Sequence, residues 1–437
     1  MPRRTRSHGA AGAALLLLAA TACSDAGPSS LSPDLPLDAP AERLRELASP
    51  GAPRAAADRI EALLAADSAG EPLSISLAPG HYWLRARAYT DPKCGNCEDP
   101  DHTVSATAGL VLSGRGVELV GAGDTPGDVV IHTGAGYGIV FDGCAGCGLH
   151  NLTVTDTRRD TVGEATSAAV IVRDGDVHVD HAVIRDNLGD SAVVANTISG
   201  VMGIAVREGG DLTLTDSRIV RNSWDGVAMY RDARGTLRNN LIDGVDKATG
   251  AKLGGGRGVG IGLTWNARAT VEGNRVTRYW KGIGVFVDAE AEIRENVVED
   301  VLTWGIVMWD ADRGTPRAVI ERNAVYETGA CGVNIYDTGE AAPAPGDLRD
   351  NLVVKSGQNP RYDSGEPYCE QTAIARPAVP AGFAIEGNLL TDNREADGAP
   401  GRDDIPRAEF EQRAAALLEA LRARPALAES AFLAGGE

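Results

Sequence analysis

One short motif, repeated through the middle of this chain, constrains its fold more than any other feature. A small residue, usually glycine, is followed by apolar residues at the first and third positions after it. The motif begins at Gly138 (Ile139, Phe141), Ala169 (Val170, Val172), Gly203 (Ile204, Val206), Gly226 (Val227, Met229) and Gly260 (Ile261, Leu263). It continues at Gly282 (Ile283, Val285), Gly305 (Ile306, Met308), Gly332 (Val333, Ile335) and Gly382 (Phe383, Ile385). Alternate side chains of a strand share a face, so each pair points inward, and all eighteen such positions are apolar. A second strand follows each first one, marked by a polar residue at 151, 181, 217, 240, 274, 296, 323, 351 and 388. Seven of the nine markers are Asn; His181 and Ser217 are the exceptions. Two residues beyond each marker stands an inward side chain: Val183, Ile219, Ile242, Val276, Val298, Val325, Val353 and Leu390, with Thr153 the polar case. The shortest marker spacings, 22 and 23 residues, define one bare coil, and longer ones contain loop insertions.

Strands this short and regular, with no helix between them, exclude βαβ units. A propeller blade needs about 40 residues and is excluded as well. What remains is a solenoid whose coils contribute two or three strands each and stack about 4.8 Å apart, giving a rod of roughly 38 Å over nine marked coils. The repeats resemble the parallel β-helix repeats of the right-handed, pectate-lyase-like superfamily, over residues 73–394. Ile75–Tyr82 is similar to the opening strand of such proteins. The expected fold is therefore an all-β right-handed parallel β-helix solenoid with short capping helices at both ends, since a solenoid must cover its open edges. Residues 41–72 supply the N-terminal helical cap and residues 395–437 the C-terminal helical segment. The resemblance leaves activity open, because the superfamily holds lyases, hydrolases, epimerases and non-catalytic surface proteins.

The N-terminus reads as an address. Arg3, Arg4 and Arg6 precede the apolar run Ala10–Ala20, which is too short to span a bilayer as a helix. Ala20-Thr21-Ala22-Cys23 resembles a bacterial lipobox, so residues 1–23 are expected to be a signal peptide with Cys23 as the lipidated residue. Residues 24–40, rich in Ser, Asp and Pro, form a tether. The protein is thus expected outside the cytoplasm, lipid-anchored or secreted, as a monomer. In that oxidising setting Cys94, Cys97, Cys144, Cys147, Cys331 and Cys369 are expected in disulfides rather than in a structural metal site. Cys331 and Cys369 are the obvious partners; the pairing of the other four stays open.

Chemistry is expected on the outward positions of the first strands. The fourth residue after each repeat glycine includes Tyr230, Phe286, Trp309 and Tyr336, beside small residues at the second position. Trp224, Trp280 and Trp304 should line the adjoining turn, and Trp265 adds to the group. Such a row suits stacking against sugar rings; the alternative is that the loops Lys247–Gly256 and Ser356–Pro380 fold back and bury it. Carboxylates follow the same strands at Asp174, Glu208, Asp232, Asp288, Asp310 and Asp337. Asp288, Asp310 and Asp337 are candidate calcium ligands. Asp232 and Asp310 are candidate acid–base groups. No histidine follows residue 181, so a lyase-type proton acceptor on this face would be Lys281, Arg231 or Tyr230.

Val177-His178-Val179-Asp180-His181 is similar to the Trp-Ile-Asp-His stretch of pectate lyases, which would give Asp180 and His181 the family's roles, although His178 replaces the tryptophan. The signatures of polygalacturonases and alginate epimerases are missing. A net charge of −19 argues against nucleic acid as a partner. The expectation is a carbohydrate-active protein acting on a polysaccharide; the alternative is a non-catalytic spacer or adhesin.

Overall fold

The computed structural model describes Ile60 and residues 72–160, 166–189, 200–245, 258–337, 346–360, 371–394 and 404–435. Cys23, Cys369, the signal and tether segments and nearly all of the N-terminal cap lie outside the described residues. Ile60, in a helix, is fully buried in the main core.

Three parallel sheets of eleven strands each run the length of the rod. We call them sheet I, beginning at Leu73–Leu77, sheet II, beginning at Gly80–Trp83, and sheet III, beginning at Arg87–Asp91. A bare coil visits them in the order III, I, II: Lys281–Phe286, Glu290–Arg294, Val297–Val301, then Ile306–Trp309 in the next coil. Eleven strands per sheet span roughly 48 Å at the usual strand spacing. Two coils precede the first marked repeat, which is why the nine-coil estimate was short. Among the described residues the only antiparallel pairing joins Arg87–Asp91 to Val104–Ser113 at the start of sheet III.

The repeat glycine stands at the corner where sheet II turns into sheet III. A Cβ on Gly282 would fall well inside contact distance of Val298 Cγ1 and the Gly305 carbonyl oxygen. Gly226, Gly260, Gly305 and Gly332 face the same obstruction from Ile242, Val276, Val325 and Val353. Glycine is required there by close packing, and the residues after it supply the core. The last repeat is the exception. Gly382 has φ +85 and leads into sheet I, where Ile385 pairs with Leu348. The sheet III strand of that coil is instead Ile374–Ala378, with Ile374 opposite Val333.

The marker column lies between sheets I and II. The ladder starts at Asn240, and from Asn274 through Asn296, Asn323 and Asn351 to Asn388 each Oδ1 accepts the backbone N–H and the Nδ2 of the preceding coil's asparagine at 2.9–3.0 Å. The residue just before each has a left-handed backbone, as at Asn239, Glu295, Arg322 and Asp350. Asn151 (φ 49) and His181 (φ 47) occupy that preceding position, so the expected column slips by one residue at its N-terminal end. Ala182 is the true counterpart of Ser217, whose Oγ accepts its N–H at 3.0 Å. The inward residues are accordingly Val154 and Ile184, not Thr153 and Val183, and the apparent polar exception disappears.

The C-terminal helix, α1 (Arg407–Arg422), does not close the rod. It lies against the outer face of sheet II, with Phe410, Ala414, Leu417 and Leu421 packed on Val297, Ala324, Leu352 and Leu389. Arg407 meets Asp392 in the last coil, while Arg424 reaches back to Glu272 and Glu295, so the segment runs along the rod. The reason is the apolar column on the outward side of sheet II, which needs a cover more than the rod's end does. Buried Glu299 fastens the tail, accepting from Arg275 Nε at 2.7 Å, Ser430 Oγ at 2.8 Å and Phe432 N–H at 3.2 Å.

Candidate aromatic face and buried acid–base pair

Three columns face outward on sheet III: the residue before each repeat glycine, and the second and fourth after it. Register places Phe286, Trp309 and Tyr336 side by side in the fourth column, and Gly284, Val307 and Asn334 in the second. The expected aromatics therefore do share one face. They are not an open platform. Tyr230, Trp304 and Trp309 are only 5, 5 and 8% exposed, and Trp224, Trp265, Trp280, Phe286 and Tyr336 are half-buried.

Two satellite cores account for this. One gathers Tyr137, Val140, Ile171, Ala205, Ala228 and Tyr230; the other gathers Trp304, Val307, Trp309 and Cys331. An outward column this apolar must be covered. Trp309 packs edge-on against Phe286 at 6.4 Å and Trp304 at 6.1 Å. Trp265 touches both clusters and carries the Arg231 guanidinium 4.2 Å above its ring.

The N-terminal part of the face is closed by a segment that sequence reasoning missed. Fully buried Asp91 accepts from Arg173 Nη1 at 2.6 Å, Tyr137 Oη at 2.9 Å, and Arg207 Nη2. Arg173 also forks onto Asp142, with bonds of 3.0 and 2.6 Å. Beyond Asp91 the loop is clipped by a Cys94–Cys97 disulfide, and Arg231 donates to the Gly95, Cys97 and Glu98 carbonyls. Cys144–Cys147 forms the second disulfide, so the four open cysteines pair within their own Cys-x-x-Cys segments. Cys331 is buried in the second satellite core.

The acid row falls in the turns from sheet III to sheet I and serves those turns. Asp288 Oδ1 accepts the Asn266 N–H at 2.8 Å, and Asp310 Oδ1 accepts the Asp312 N–H at 3.1 Å. Among the described residues no group of three or more His, Cys, Asp or Glu could hold a metal ion. Asp288, Asp310 and Asp337 are thus not assembled into a calcium cage: each sits one coil from the next, Asp288 turning to the backbone of the coil before it and Asp310 to its own turn. The expected catalytic trio is split as well. Lys281 opens its strand, whereas Asp232 and Asp310 lie past the far ends of theirs, on the order of 16 Å away along the strand direction. The Asp180–His181 pair, bonded at 2.7 Å, lies where sheet I turns into sheet II, away from the aromatic face.

Lys281 instead shares its column with another buried acid. Asp225 and Lys281 both precede repeat glycines, two coils apart, with Val259 between them. Asp225 Oδ1 accepts the Val259 N–H at 2.6 Å, and Tyr230 Oη lies 3.4 Å from its Oδ2. Burial raises the Asp225 carboxyl to about 6, against the Val259 and Tyr230 hydrogen bonds that lower it. Lys281 Nζ sits 3.2 Å from the Trp280 ring centre and 4.9 Å from that of Trp304. Burial pushes its ammonium down to about 7, with the Asp225 charge opposing. Tyr279, fully buried, has a hydroxyl with no hydrogen-bond partner among the described residues, beside Gly226. With the carboxyl near 6 and the ammonium near 7, Asp225 is mostly ionised at neutral pH and Lys281 is partly neutral, so its amine can accept a proton on the aromatic face. Asp225 was legible only as one more acid before a glycine.

A coiled stack of three parallel sheets with an outward aromatic column defines a parallel β-helix. The chain belongs to the right-handed β-helix family: the model of the right-handed beta helix region matches residues 115–248 and 181–344, together more than half the chain. Among solved structures it is similar to the A-module of the mannuronan C-5 epimerase AlgE4 of Azotobacter vinelandii. That match has 16% identity and a TM-score of 0.42, over 77% of this chain and 83% of that one. A periplasmic alginate epimerase, AlgG, matches at 12% identity and a TM-score of 0.42, over 76% and 77%. The surface adhesin PfbA of Streptococcus pneumoniae matches at 9% and 0.40, over 74% and 69%. No curated protein matches the sequence.

Proposed function

We propose that this is an extracytoplasmic, carbohydrate-active β-helix that holds a polysaccharide along the outer face of sheet III, tethered to a bacterial membrane through Cys23. The observation that carries the reading is the set of half-exposed rings on that face: Trp265, then Trp280 and Phe286 in the next coil, and Tyr336 two coils further on. Partly exposed rings suit the apolar faces of sugars. Two disulfides favour an oxidising compartment.

Cleavage, in this reading, falls to Lys281 as proton acceptor, with the Asp225 carboxylate in the same column and the Tyr230 hydroxyl, which keeps its proton, beside that carboxylate. Trp280, the more exposed of the two rings covering Lys281, must swing aside for a substrate to reach it. The spacer or adhesin reading draws on a different observation, the packing of Tyr230, Trp304 and Trp309 as a satellite core. A glycan panel with the full chain, with and without calcium, separates the two. The carbohydrate reading expects retention of one polysaccharide, lost in Trp265→Ala and Phe286→Ala, and turnover lost in Lys281→Met with retention intact. Retention of none returns the rod to a spacer.

A further inference from the structure

The outer face of sheet III is not free along its whole length. Residues 92–103, which join Arg87–Asp91 to Val104–Ser113, form a strap that runs along the rod on top of it. Asp91, at the root of the strap, is bonded to Tyr137, Arg173 and Arg207, on three consecutive strands of the sheet. Arg207 also donates to Lys93 O at 3.3 Å, and a Cβ on Gly95 would fall 2.7 Å from its Cδ, so the strap lies flush on that strand. Arg231, one coil further, donates to Gly95 O and Glu98 O at 3.3 Å each and to Cys97 O. Glu98 Oε1 lies 3.6 Å from Nη1 of Arg313, which follows the strand Ile306–Trp309. Beneath this hairpin Val140, Ile171, Ala205 and Ala228, outward residues of four consecutive coils, are buried, in a cluster on which Tyr89 and Ala106 pack.

The strap is a fixed part of the surface. Lifting it would take the Asp91 carboxylate away from two buried arginines, and a buried charge left short of its partner is costly. The Cys94–Cys97 disulfide clips the tip into a tight turn. With a sequence separation of 3 it restrains the unfolded chain less than a long loop would, so its effect falls on the shape of the tip. The tip stops at Trp265. Arg231, bonded to the tip, stands 4.2 Å above the Trp265 ring, and Arg313, which meets Glu98, stands 5.7 Å from it. Past Trp265 the face continues through Phe286, Trp309 and Tyr336 on the next three strands, about 14 Å of rod.

We infer that the strap is an end wall, and that the aromatic face takes the terminus of a glycan chain rather than its interior. The inference rests on the carbohydrate reading of that face. A chain lying flat along the rings meets the clipped tip head-on at Trp265, where its last sugar stops against Cys97 and Glu98. Only the short run of rod beyond Trp265 holds the rest, so affinity belongs to the chain end and the few sugars next to it.

The test is calorimetric titration of the full chain with laminarin, xylan, alginate and galactomannan, each in its native length and after partial hydrolysis. For whichever polymer binds, the inference expects a single rod per glycan molecule at both lengths. Cutting a polymer to about a tenth of its length should therefore lower the half-saturating mass concentration about tenfold, because the ends per gram rise by that factor. The variant Cys94→Ala/Cys97→Ala/Glu98→Ala frees the tip but keeps the Asp91 anchor, and should load several rods on each native chain. Wild-type loading in proportion to chain length overturns the inference and leaves the carbohydrate reading standing. A single rod per native chain in the folded triple variant also overturns it, since the strap is then not what selects the end. If the variant does not fold, the wild-type length series decides alone. Binding of none of the four polymers removes the carbohydrate reading and this inference with it.

Discussion

Asn296→Ala removes one amide from the middle of the asparagine ladder. Asn296 is fully buried; its Nδ2 donates to Val271 O at 2.8 Å and to Asn323 Oδ1 at 3.0 Å. Its Oδ1 accepts the Asn274 N–H at 2.9 Å and the Asn274 Nδ2 at 3.0 Å. The substitution deletes all four bonds and strands the buried Asn274 N–H and Val271 carbonyl. At about 1–3 kcal/mol for each stranded group, the expected loss is roughly 2–6 kcal/mol. Asn388→Ala provides the comparison. That residue ends the ladder, is half-exposed, and bonds only to Leu348 O and Asn351, so water can replace its partners at a cost of about 1–2 kcal/mol. Urea unfolding followed by far-ultraviolet circular dichroism reads both midpoints. Coincident fluorescence transitions guard against loss of cooperativity in a repeat rod. Equal midpoints for the two variants, or an Asn296→Ala loss under about 1 kcal/mol, would refute the ladder as a load shared between coils.

Three further outcomes follow from other contacts. Gly282→Ala should lower the melting temperature sharply, because the added methyl meets Val298 and the Gly305 backbone, while Gly262→Ala, whose nearest neighbour would be 3.5 Å away, should be tolerated. Glu299→Gln should release the C-terminal tail at a cost of about 2–3 kcal/mol, read as faster proteolysis beyond Arg422 with the rod intact. The Lys281 ammonium is held near 7 in the folded protein, below its ordinary value of 10.5. The unfolded chain therefore binds the extra proton between those values, and wild-type stability should rise with pH across that window. Lys281→Met should abolish that rise, as unfolding midpoints measured at pH 7 and 9.5 would reveal.

The architecture was legible because both of its repeating constraints act over a few residues. The corner admits only a small residue, as Gly282 demonstrates, and the turn before sheet II wants a buried amide, as Asn296 does. Where one constraint was met by another chemistry, the reading slipped. Ser217 stands in for asparagine, but His181 mimics the marker from one position too early. The aromatic row was legible as a row, since register follows from the repeat. Its burial was not, because Asp91 reaches Arg173 and Arg207 across 82 and 116 residues of sequence with no local signature. Likewise, α1 was visible as an amphipathic helix, but its seat depended on the outward Val297, Ala324, Leu352 and Leu389, which read as ordinary strand residues. Lys281 stood out by its place among tryptophans; Asp225 needed the fold to bring it into the same column.

The central claim is that a polysaccharide lies on the aromatic face of sheet III, and intrinsic tryptophan fluorescence tests it most directly. Five of the six tryptophans, Trp224, Trp265, Trp280, Trp304 and Trp309, lie on or beside that face. Titration of the full chain with a panel of extracellular polysaccharides should give a saturable change with one glycan, diminished in Trp265→Ala and unaffected in Arg413→Gln, an exposed arginine on α1. A flat signal across the whole panel, from a protein shown to be folded, would contradict it and leave the rod as a spacer.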